Sequence, residues 1–267
     1  MDQQHWDEVA AGRRKWDEWA DRTLAHMSES LMKEAGIRSG DCVLDIGTGT
    51  GHPAIFCAER LQDSGKVFGI DLSLEMLRSA KQKASGLRNV WFAQSDATSI
   101  PFRDSTFHSV ISRCCIMFIP DVEKCLRATA RVLKPGGTWS ALVWADPQKN
   151  PLPLRVLTKH LKIDPPSPDK PGHYRFWQPG VLTPLLKIAG FSPVSEKEIA
   201  FEESYDSGQE FVHRFLESSV MAGHVKRESA PVQKKILEEL VAAAEEYRAG
   251  ASVRIPRFAR IITARKL

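Results

Sequence analysis

Apolar positions change their spacing along the chain, and these changes predict the order of helices and strands. Near the N-terminus, apolar residues recur at steps of three and four, which places them on one helix face: Trp16, Trp19, Ala20, Leu24, Met27 and Leu31. Gly36 follows the last of them and predicts the end of that helix. Residues 1–36 therefore form a predicted helical unit of their own.

Beyond this unit, short apolar runs alternate with amphipathic segments. The runs predict strands at 41–47, 66–71, 90–94, 107–112 and 138–144, with helices between them. Ser73 predicts the N-cap of the second of these helices, and Pro135-Gly136-Gly137 predicts a turn before the fifth strand. Strands alternating with helices favour a parallel sheet covered by helices on both faces.

The composition changes at residue 146. Eight prolines lie between positions 147 and 179, which is too long a stretch for a simple loop and predicts an insertion after the fifth strand. Helices are expected near 154–161, 181–189, 209–220 and 229–249, and strands at 191–201 and 253–264. We therefore expect an α/β fold with a Rossmann-like, seven-stranded, mostly parallel sheet and helices on both faces. The expected units are 1–36, a core at 37–145, an insertion at 146–230 with part of the core, and the closing helix and strand at 231–267.

Composition narrows the class of protein. The net charge of +4 is too small and too scattered to indicate a nucleic-acid surface, so a nucleic-acid partner is not expected. The five cysteines include no C-x-x-C pair, so we expect no metal site and a reducing compartment. The first residues lack the apolar core of a signal peptide, and no apolar run is long enough to span a membrane, so the cytoplasm is the expected location.

The chemistry is concentrated in a glycine-rich loop after the first predicted strand. Gly47, Gly49 and Gly51 lack the G-x-G-x-x-G spacing of dinucleotide sites, because His52 stands where the third glycine would be. No lysine followed by Ser or Thr closes the loop, which excludes a phosphate-binding P-loop. Asp45 precedes the first glycine, and its carboxylate would repel a pyrophosphate. The loop therefore indicates a ligand with a cationic end and no phosphate.

Two more carboxylates follow the next two strands. Asp71 ends the second strand, where an acidic residue can accept hydrogen bonds from both ribose hydroxyls. Asp96 follows the third strand, where it can accept from an exocyclic adenine amine. Because the ends of parallel strands meet at one edge of a sheet, Asp45, Asp71 and Asp96 favour a nucleoside ligand.

Five motifs carry a family resemblance over residues 40–145: VLDIGTGTG (43–51), GIDLS (69–73), SDATSIPF (95–102), FHSVISRCCIMFIPD (107–121) and RVLKPGG (131–137). The segment resembles class I S-adenosylmethionine-dependent methyltransferases, in the small-molecule branch that includes the ubiquinone- and menaquinone-biosynthesis C-methyltransferases. The resemblance implies S-adenosyl-L-methionine as cofactor, a small-molecule acceptor and a substrate cover in the insertion at 146–230. Residues 1–36 are expected to form an N-terminal helical lid.

The resemblance also implies a set of cofactor-binding residues. The methionine end would be lined by Asp45, Gly47, Thr48, Gly49 and Gly51. The ribose and one adenine face would be held by Asp71, Leu72 and Met76, and the adenine edge by Asp96 and Ala97. Ser112 and Arg113 would pass close to the amino acid part of the cofactor.

The chain departs from the family pattern at two places, and no catalytic residue is identified. His108 replaces a frequent aspartate, and Met117-Phe118 stand where the family often carries histidine. His173, with Tyr174 beside it, is a candidate general base, although a solvated loop histidine is the more common reading. His52 is expected to be a surface or capping residue and His108 to be structural.

Aromatic residues suggest how the site is covered. Trp6, Trp16 and Trp19 could form a lid that contacts a sulfonium, or Trp16 and Trp19 could simply be the core stripe of the first helix. Trp144, Phe176 and Trp177 favour a mostly apolar acceptor pocket.

Three functions stay open. The first is methyl transfer to O, N or C of a small, partly apolar molecule. The second is methylation of RNA or protein, against which the chain lacks an N-P-P-[YF] motif after the fourth strand. The third is a non-methylating relative that uses the cofactor for cyclisation or decarboxylation.

Overall fold

The computed structural model describes residues 3–150 and 152–267; residues 1, 2 and 151, which belong to the predicted lid and insertion, lie outside this range. The α-helices are α1 (Gln3–Lys15), α2 (Asp17–Thr23), α3 (Ala25–Glu34), α4 (His52–Leu61), α5 (Leu74–Lys83), α6 (Val122–Val132), α7 (Leu154–His160), α8 (Thr183–Ile188), α9 (Gly208–Ser218), α10 (Ala222–Lys226) and α11 (Ala230–Glu245). Two short 3₁₀ helices span Gln62–Ser64 and Ile116–Phe118. The strands are β1 (Cys42–Ile46), β2 (Lys66–Asp71), β3 (Val90–Gln94), β4 (Phe107–Arg113), β5 (Leu133–Trp144), β6 (Phe191–Tyr205), β7 (Arg248–Ala249) and β8 (Ser252–Lys266).

The strands form one sheet in the order β3-β2-β1-β4-β5-β8-β6. Strands β1 to β5 pair in parallel, whereas β8 runs antiparallel to β5 on one side and to β6 on the other. The predicted α/β fold with a mostly parallel, Rossmann-like sheet is therefore confirmed. Because the order reverses beside β1, the carboxyl ends of β1, β2 and β4 open a crevice at one edge of the sheet.

The C-terminal region differs from its prediction. The predicted helix at 229–249 ends at Glu245. Arg248–Ala249 instead form the two-residue strand β7, which pairs with β8 and brings the sheet to eight strands instead of the predicted seven. Gly250 has φ +63°, which permits the tight connection between the two strands. The short helix Ala222–Lys226 was also missed.

The N-terminal unit is three helices instead of one. The helical run is interrupted at Trp16 and at Leu24. These breaks let α1 pack against both α5 and α9, while α3 packs against α4 and the sheet. The predicted apolar stripe is therefore divided: Met27 and Leu31 are buried beside the sheet, whereas Trp16 turns toward α9.

The predicted turn at 135–137 lies within the first residues of β5. The pairing of β4 with β5 shifts between Phe107 and Ser109, and Gly136 has φ +73°, so this stretch is an irregular start to the strand.

Apolar side chains bury both faces of the sheet and a third region under the insertion. In that region, Leu152, Val156 and Leu157 pack against side chains of α9 and α11. This third region also includes Tyr205 at the end of β6 and Val253 and Ile255 at the start of β8, so it lies beside that end of the two strands.

Candidate active site

The glycine-rich loop connects β1 to α4 and turns back against β2. The backbone N–H groups of Gly47 and Thr48 both donate to the carbonyl of Ile70, at 2.9 and 3.0 Å. Gly47 has φ +70°, and a Cβ there would come closer than 3.0 Å to the Sγ atom of Cys115. Only glycine fits this position without strain, because both the backbone conformation and the approach of Cys115 exclude a side chain.

Asp71 connects this loop to the end of β2. Its carboxylate accepts hydrogen bonds from the Gly49 N–H at 2.8 Å and from the Ser73 N–H at 3.0 Å. Ser73 is also the N-cap of α5, as predicted, since its hydroxyl accepts from the Met76 N–H. Burial raises the pKa of Asp71, while the two backbone donors act in the opposite direction.

A cavity of about 480 Å³ opens above the carboxyl ends of β1, β2 and β4. Eight of the twelve residues predicted to bind the cofactor lie in its wall: Gly47, Gly49, Asp71, Leu72, Met76, Asp96, Ala97 and Arg113. The structure therefore brings most of the predicted set around one cavity, hereafter the first cavity. The other four, Asp45, Thr48, Gly51 and Ser112, are not part of the wall.

Asp45 lies directly behind the loop and is fully buried. Neither of its carboxylate oxygens has a hydrogen-bond partner among the described residues, and the same holds for the Thr48 Oγ1 atom. Burial raises the pKa of Asp45 to about 7, while the nearby Thr48 hydroxyl and Ala54 backbone act in the opposite direction without reaching good hydrogen-bond geometry. Buried polar atoms without partners are costly, so these groups indicate an environment completed by a ligand or by water.

The two predicted residues at the end of β4 make contacts within the protein. The Ser112 hydroxyl donates to the carbonyl of Ile46 at 3.0 Å and ties β4 to β1. The Arg113 guanidinium donates to the Leu24 carbonyl at 3.3 Å and to the Ser28 hydroxyl at 3.2 Å. Arg113 therefore links the N-terminal helices to the wall of the first cavity.

Several residues of this wall were not identified from sequence: Gln3, Arg13, Cys114, Cys115, Ile119, Pro120, Asp121 and Lys124. The residues from Cys114 to Lys124 come soon after β4 in the chain, and their place after a strand of the parallel sheet is the one signal that could have indicated them. Gln3 and Arg13 reach the cavity because α1 packs against α5 and α9, and no local sequence pattern signals such a contact.

A second cavity of about 190 Å³ adjoins the first, and Arg13 lies in the wall of both. Trp144, His173 and Tyr174 also line the second cavity. His173 is not the solvated loop residue that was the more common expectation, because its ring stacks on Trp144 with 5.3 Å between centroids. Burial lowers the pKa of His173 to about 3, so its imidazole is neutral at pH 7. Its Nδ1 atom is buried and has no partner among the described residues.

The other candidate histidines make structural contacts. His52 is buried, not on the surface as expected, and its ring nitrogens contact the Ser28 hydroxyl and the Asp21 carbonyl, both at 3.2 Å. His108 lies at the opposite edge of the sheet, where its Nδ1 atom accepts from the Cys42 N–H at 2.8 Å.

The aromatic candidates divide between the two cavities and the core. Trp6 lines the first cavity, and Trp16 lines the second. Trp19 lines neither of the two and stacks on Tyr205. Phe176 is a core residue, and the Trp177 carbonyl accepts from Arg260.

Two further findings concern metal and membrane. Among residues 3–150 and 152–267, no three His, Cys, Asp or Glu side chains converge so as to hold a metal ion. In the same residues, each helix is too short or too polar to cross a membrane.

Comparison with known proteins agrees with this geometry. Residues 43–137 match the family model described as a methyltransferase domain. Demethylmenaquinone methyltransferase of Staphylococcus aureus is 36% identical over 117 residues, which are 44% of this chain and 48% of that protein. The chain thus spans about half the length of the curated relatives it matches.

Solved structures share the fold over most of the chain. The YcgJ protein from Bacillus subtilis has a TM-score of 0.60 and 24% identity, covering 90% of this chain and 98% of that chain. Phosphoethanolamine N-methyltransferase 2 of Haemonchus contortus, in complex with S-adenosyl-L-methionine, has a TM-score of 0.55 and 21% identity, covering 90% and 52%. Residues 43–137 are thus similar to a methyltransferase domain and to the menaquinone methyltransferases, and the chain shares the fold of these solved structures.

Proposed function

We propose that the chain binds S-adenosyl-L-methionine in the first cavity and transfers its methyl group to O, N or C of a small, partly apolar molecule. The observation that carries the proposal is the wall of this cavity. It combines a glycine-rich loop without phosphate-binding features and carboxylates at two successive strand ends, Asp71 and Asp96. A second, aromatic-lined cavity adjoins it and is large enough for part of an acceptor.

The residues of the first cavity suit this cofactor. A volume of about 480 Å³ lies within the range of small-molecule sites. The unpartnered oxygens of Asp45 and Thr48 lie behind the loop, where a cationic amino acid end would offset the buried charge. Asp71 already accepts two backbone hydrogen bonds, yet a carboxylate has further lone pairs for ribose hydroxyls.

The remaining residues take the roles that the family resemblance implies. Gly47, Gly49 and Gly51 would shape the methionine end, and Ser112 and Arg113 would border the amino acid part. Leu72 and Met76 would hold the ribose and one adenine face with Asp71. Asp96 and Ala97 would meet the adenine edge.

When bound, the cofactor supplies an activated methyl group on a sulfonium, so the protein has to orient the acceptor, exclude water and accept a proton or hydrogen bond from the acceptor. The two cavity walls orient the acceptor and exclude water from the reaction. The ring of His173, neutral at pH 7, can accept a hydrogen bond from an acceptor hydroxyl or amine. Trp144 holds that ring by stacking and so fixes its orientation.

The units of the chain would divide this work. Residues 1–36 would act as a lid, 37–145 would hold the cofactor, 146–230 would cover the acceptor, and 231–267 would complete the core. We also propose that the protein acts in the cytoplasm, because its five cysteines are free thiols, as is usual in a reducing compartment.

Titration calorimetry with S-adenosyl-L-methionine and with NAD tests the cofactor assignment. We expect binding of the first and none of the second; the reverse result would refute the proposal. The Asp71→Ala variant should bind the cofactor more weakly, whereas Asp63→Ala should not, because Asp63 lies in an exposed 3₁₀ turn away from the first cavity.

An acceptor screen that measures S-adenosylhomocysteine release tests the reaction. The screen includes the menaquinone precursor after which the Staphylococcus aureus relative is named. Release that requires RNA or protein would support the second function instead, and acceptor conversion without release would support the third.

A further inference from the structure

The second cavity carries a surplus of positive charge. Its wall includes three guanidinium groups, from Arg13, Arg214 and Arg257, but among the described residues it includes a single carboxylate, from Glu203. Arg257 is paired with Glu203 at 2.8 Å and also donates to the Leu152 carbonyl. The one carboxylate is thus neutralised by Arg257, which leaves two guanidinium charges in excess.

Arg214 is only partly satisfied by its neighbours. It donates to the Tyr205 hydroxyl, stands 3.8 Å from Glu203 and lies over the Trp19 ring. Its Nε atom is buried and has no hydrogen-bond partner among the residues described. A buried donor without an acceptor is costly and indicates that an acceptor is supplied by a ligand or water.

The guanidinium group of Arg13 makes no side-chain hydrogen bond or ion pair within residues 3–150 and 152–267, although Arg13 lines both cavities. The acidic residues near it are engaged elsewhere. Asp17 accepts from the Thr50 hydroxyl and lies 3.4 Å from Lys83, and Asp71 accepts from two backbone N–H groups. Arg13 is therefore a cation at the junction of the cavities with its donors available.

The rest of the wall is apolar and suits an aromatic ring. It includes Trp144, Leu152, Phe211, Phe215 and Met221. Because a buried cavity of about 150 Å³ accommodates benzene, a volume of about 190 Å³ leaves room for one six-membered ring and a small substituent.

We infer that the second cavity binds an acceptor that carries an anionic group on an aromatic ring, with Arg13 and Arg214 pairing with the anion and the apolar wall holding the ring. This inference rests on the proposed function, because it takes the second cavity as the acceptor site. Guanidinium groups bind carboxylates through two parallel hydrogen bonds, so the site would discriminate strongly against a neutral analogue of the same shape.

Benzoate and benzamide form a pair of probes that match in shape and differ in charge. Their affinities are measured by calorimetry or ligand-detected NMR, with S-adenosylhomocysteine present to fill the first cavity. Wild-type protein should bind benzoate at least about tenfold more tightly than benzamide. In Arg13→Gln this preference should fall to about twofold or less. Arg14→Gln is the matched control, because Arg14 is exposed, as Arg13 is, but lines neither cavity, and it should keep the preference.

The outcomes separate this inference from the proposed function. Equal binding of the two probes to wild-type protein, or an unchanged preference in Arg13→Gln, would overturn the anionic acceptor. If Arg13→Gln loses affinity for S-adenosylhomocysteine but keeps the preference for benzoate, Arg13 serves the cofactor and the inference also fails. Failure of S-adenosyl-L-methionine to bind the wild type would refute the proposed function, whatever the probes do. Since the Arg13 side chain makes no hydrogen bond within the described residues, its replacement should leave the fold intact, which circular dichroism checks.

Discussion

Replacing Gly47 by alanine should disrupt the cofactor loop for two separable reasons. The backbone at Gly47 has φ +70°, a conformation that costs an L-residue about 1–2 kcal/mol. The added Cβ would also lie closer than 3.0 Å to Sγ and Cβ of Cys115, and overpacking of this kind costs about 1–3 kcal/mol. The free energy of unfolding should therefore fall by about 2–5 kcal/mol.

Comparing Gly47→Ala with Gly49→Ala isolates the cost of the clash with Cys115 from the cost of the backbone conformation. It also has a positive φ, +57°, but a Cβ there would be 3.6 Å from the Met76 Sδ atom, an ordinary contact. The Gly49→Ala variant should therefore lose about 1–2 kcal/mol only. The clash in Gly47→Ala should be relieved by Cys115→Gly, because the remaining Cα of Cys115 would be 3.9 Å from the new methyl group. A favourable coupling of about 1–3 kcal/mol is expected in this double-mutant cycle.

Urea unfolding monitored by tryptophan fluorescence measures the three variants and the double mutant. Calorimetry with S-adenosyl-L-methionine on the folded variants reports whether the loop still binds. The steric explanation is refuted if Gly47→Ala is no less stable than Gly49→Ala, or if Cys115→Gly gives no favourable coupling.

Three other variants test the charged groups. Asp71→Ala should weaken S-adenosyl-L-methionine binding by about 10- to 100-fold by calorimetry, because charged hydrogen bonds contribute about 1.5–3 kcal/mol; unchanged affinity would exclude a ribose contact. Because the pKa of Asp45 is raised to about 7 in the folded protein, the protonated carboxyl contributes its full stability below pH 4, and this contribution is lost as the pH rises through 7. Between pH 4 and 7, the free energy of unfolding of Asp45→Asn should therefore gain on that of wild type by about 1.4 kcal/mol per pH unit. Urea unfolding from pH 4 to 8 measures this difference, and parallel pH curves for the two proteins would contradict it. Arg257→Met should destabilise by up to about 3–5 kcal/mol because it removes the closer of the two guanidinium groups that face the buried Glu203, at 2.8 Å against 3.8 Å for Arg214. Arg127→Met, at an exposed pair, should change stability in urea by less than about 1 kcal/mol; similar losses would refute the role of burial.

Much of the fold followed from local patterns. Strands β2 and β3 have the predicted bounds, and Ser73 caps α5 as predicted, because period and capping chemistry are local properties of the chain. The N-terminal helices and the region after residue 245 differ, because their geometry depends on distant contacts. Trp16, for example, ends a helical run where its Nε1 atom donates to Glu217, 201 positions away.

The candidate site divides in the same way. The loop at Gly47 and Gly49 and the acid at Asp71 were predictable, because backbone turns and strand ends leave a signature in sequence. The participation of Arg13 and the stacking of His173 on Trp144 were not predictable, because α1 and the insertion reach the site through tertiary packing. The sequence thus indicates where a cofactor would bind better than it indicates the acceptor cavity.

The position of β8 has a consequence for how the protein is made. Residues 252–266 pair with β5 on one side and with β6 on the other, so they join two strands that have no other connection in the sheet. While the ribosome is still synthesising the chain, β5 presents an open edge and β6 lacks its neighbour until these residues emerge. Exposed strand edges promote association between nascent chains. We therefore expect shortened chains that lack 252–266 to aggregate or to require chaperones, even though they contain every residue of the cofactor loop.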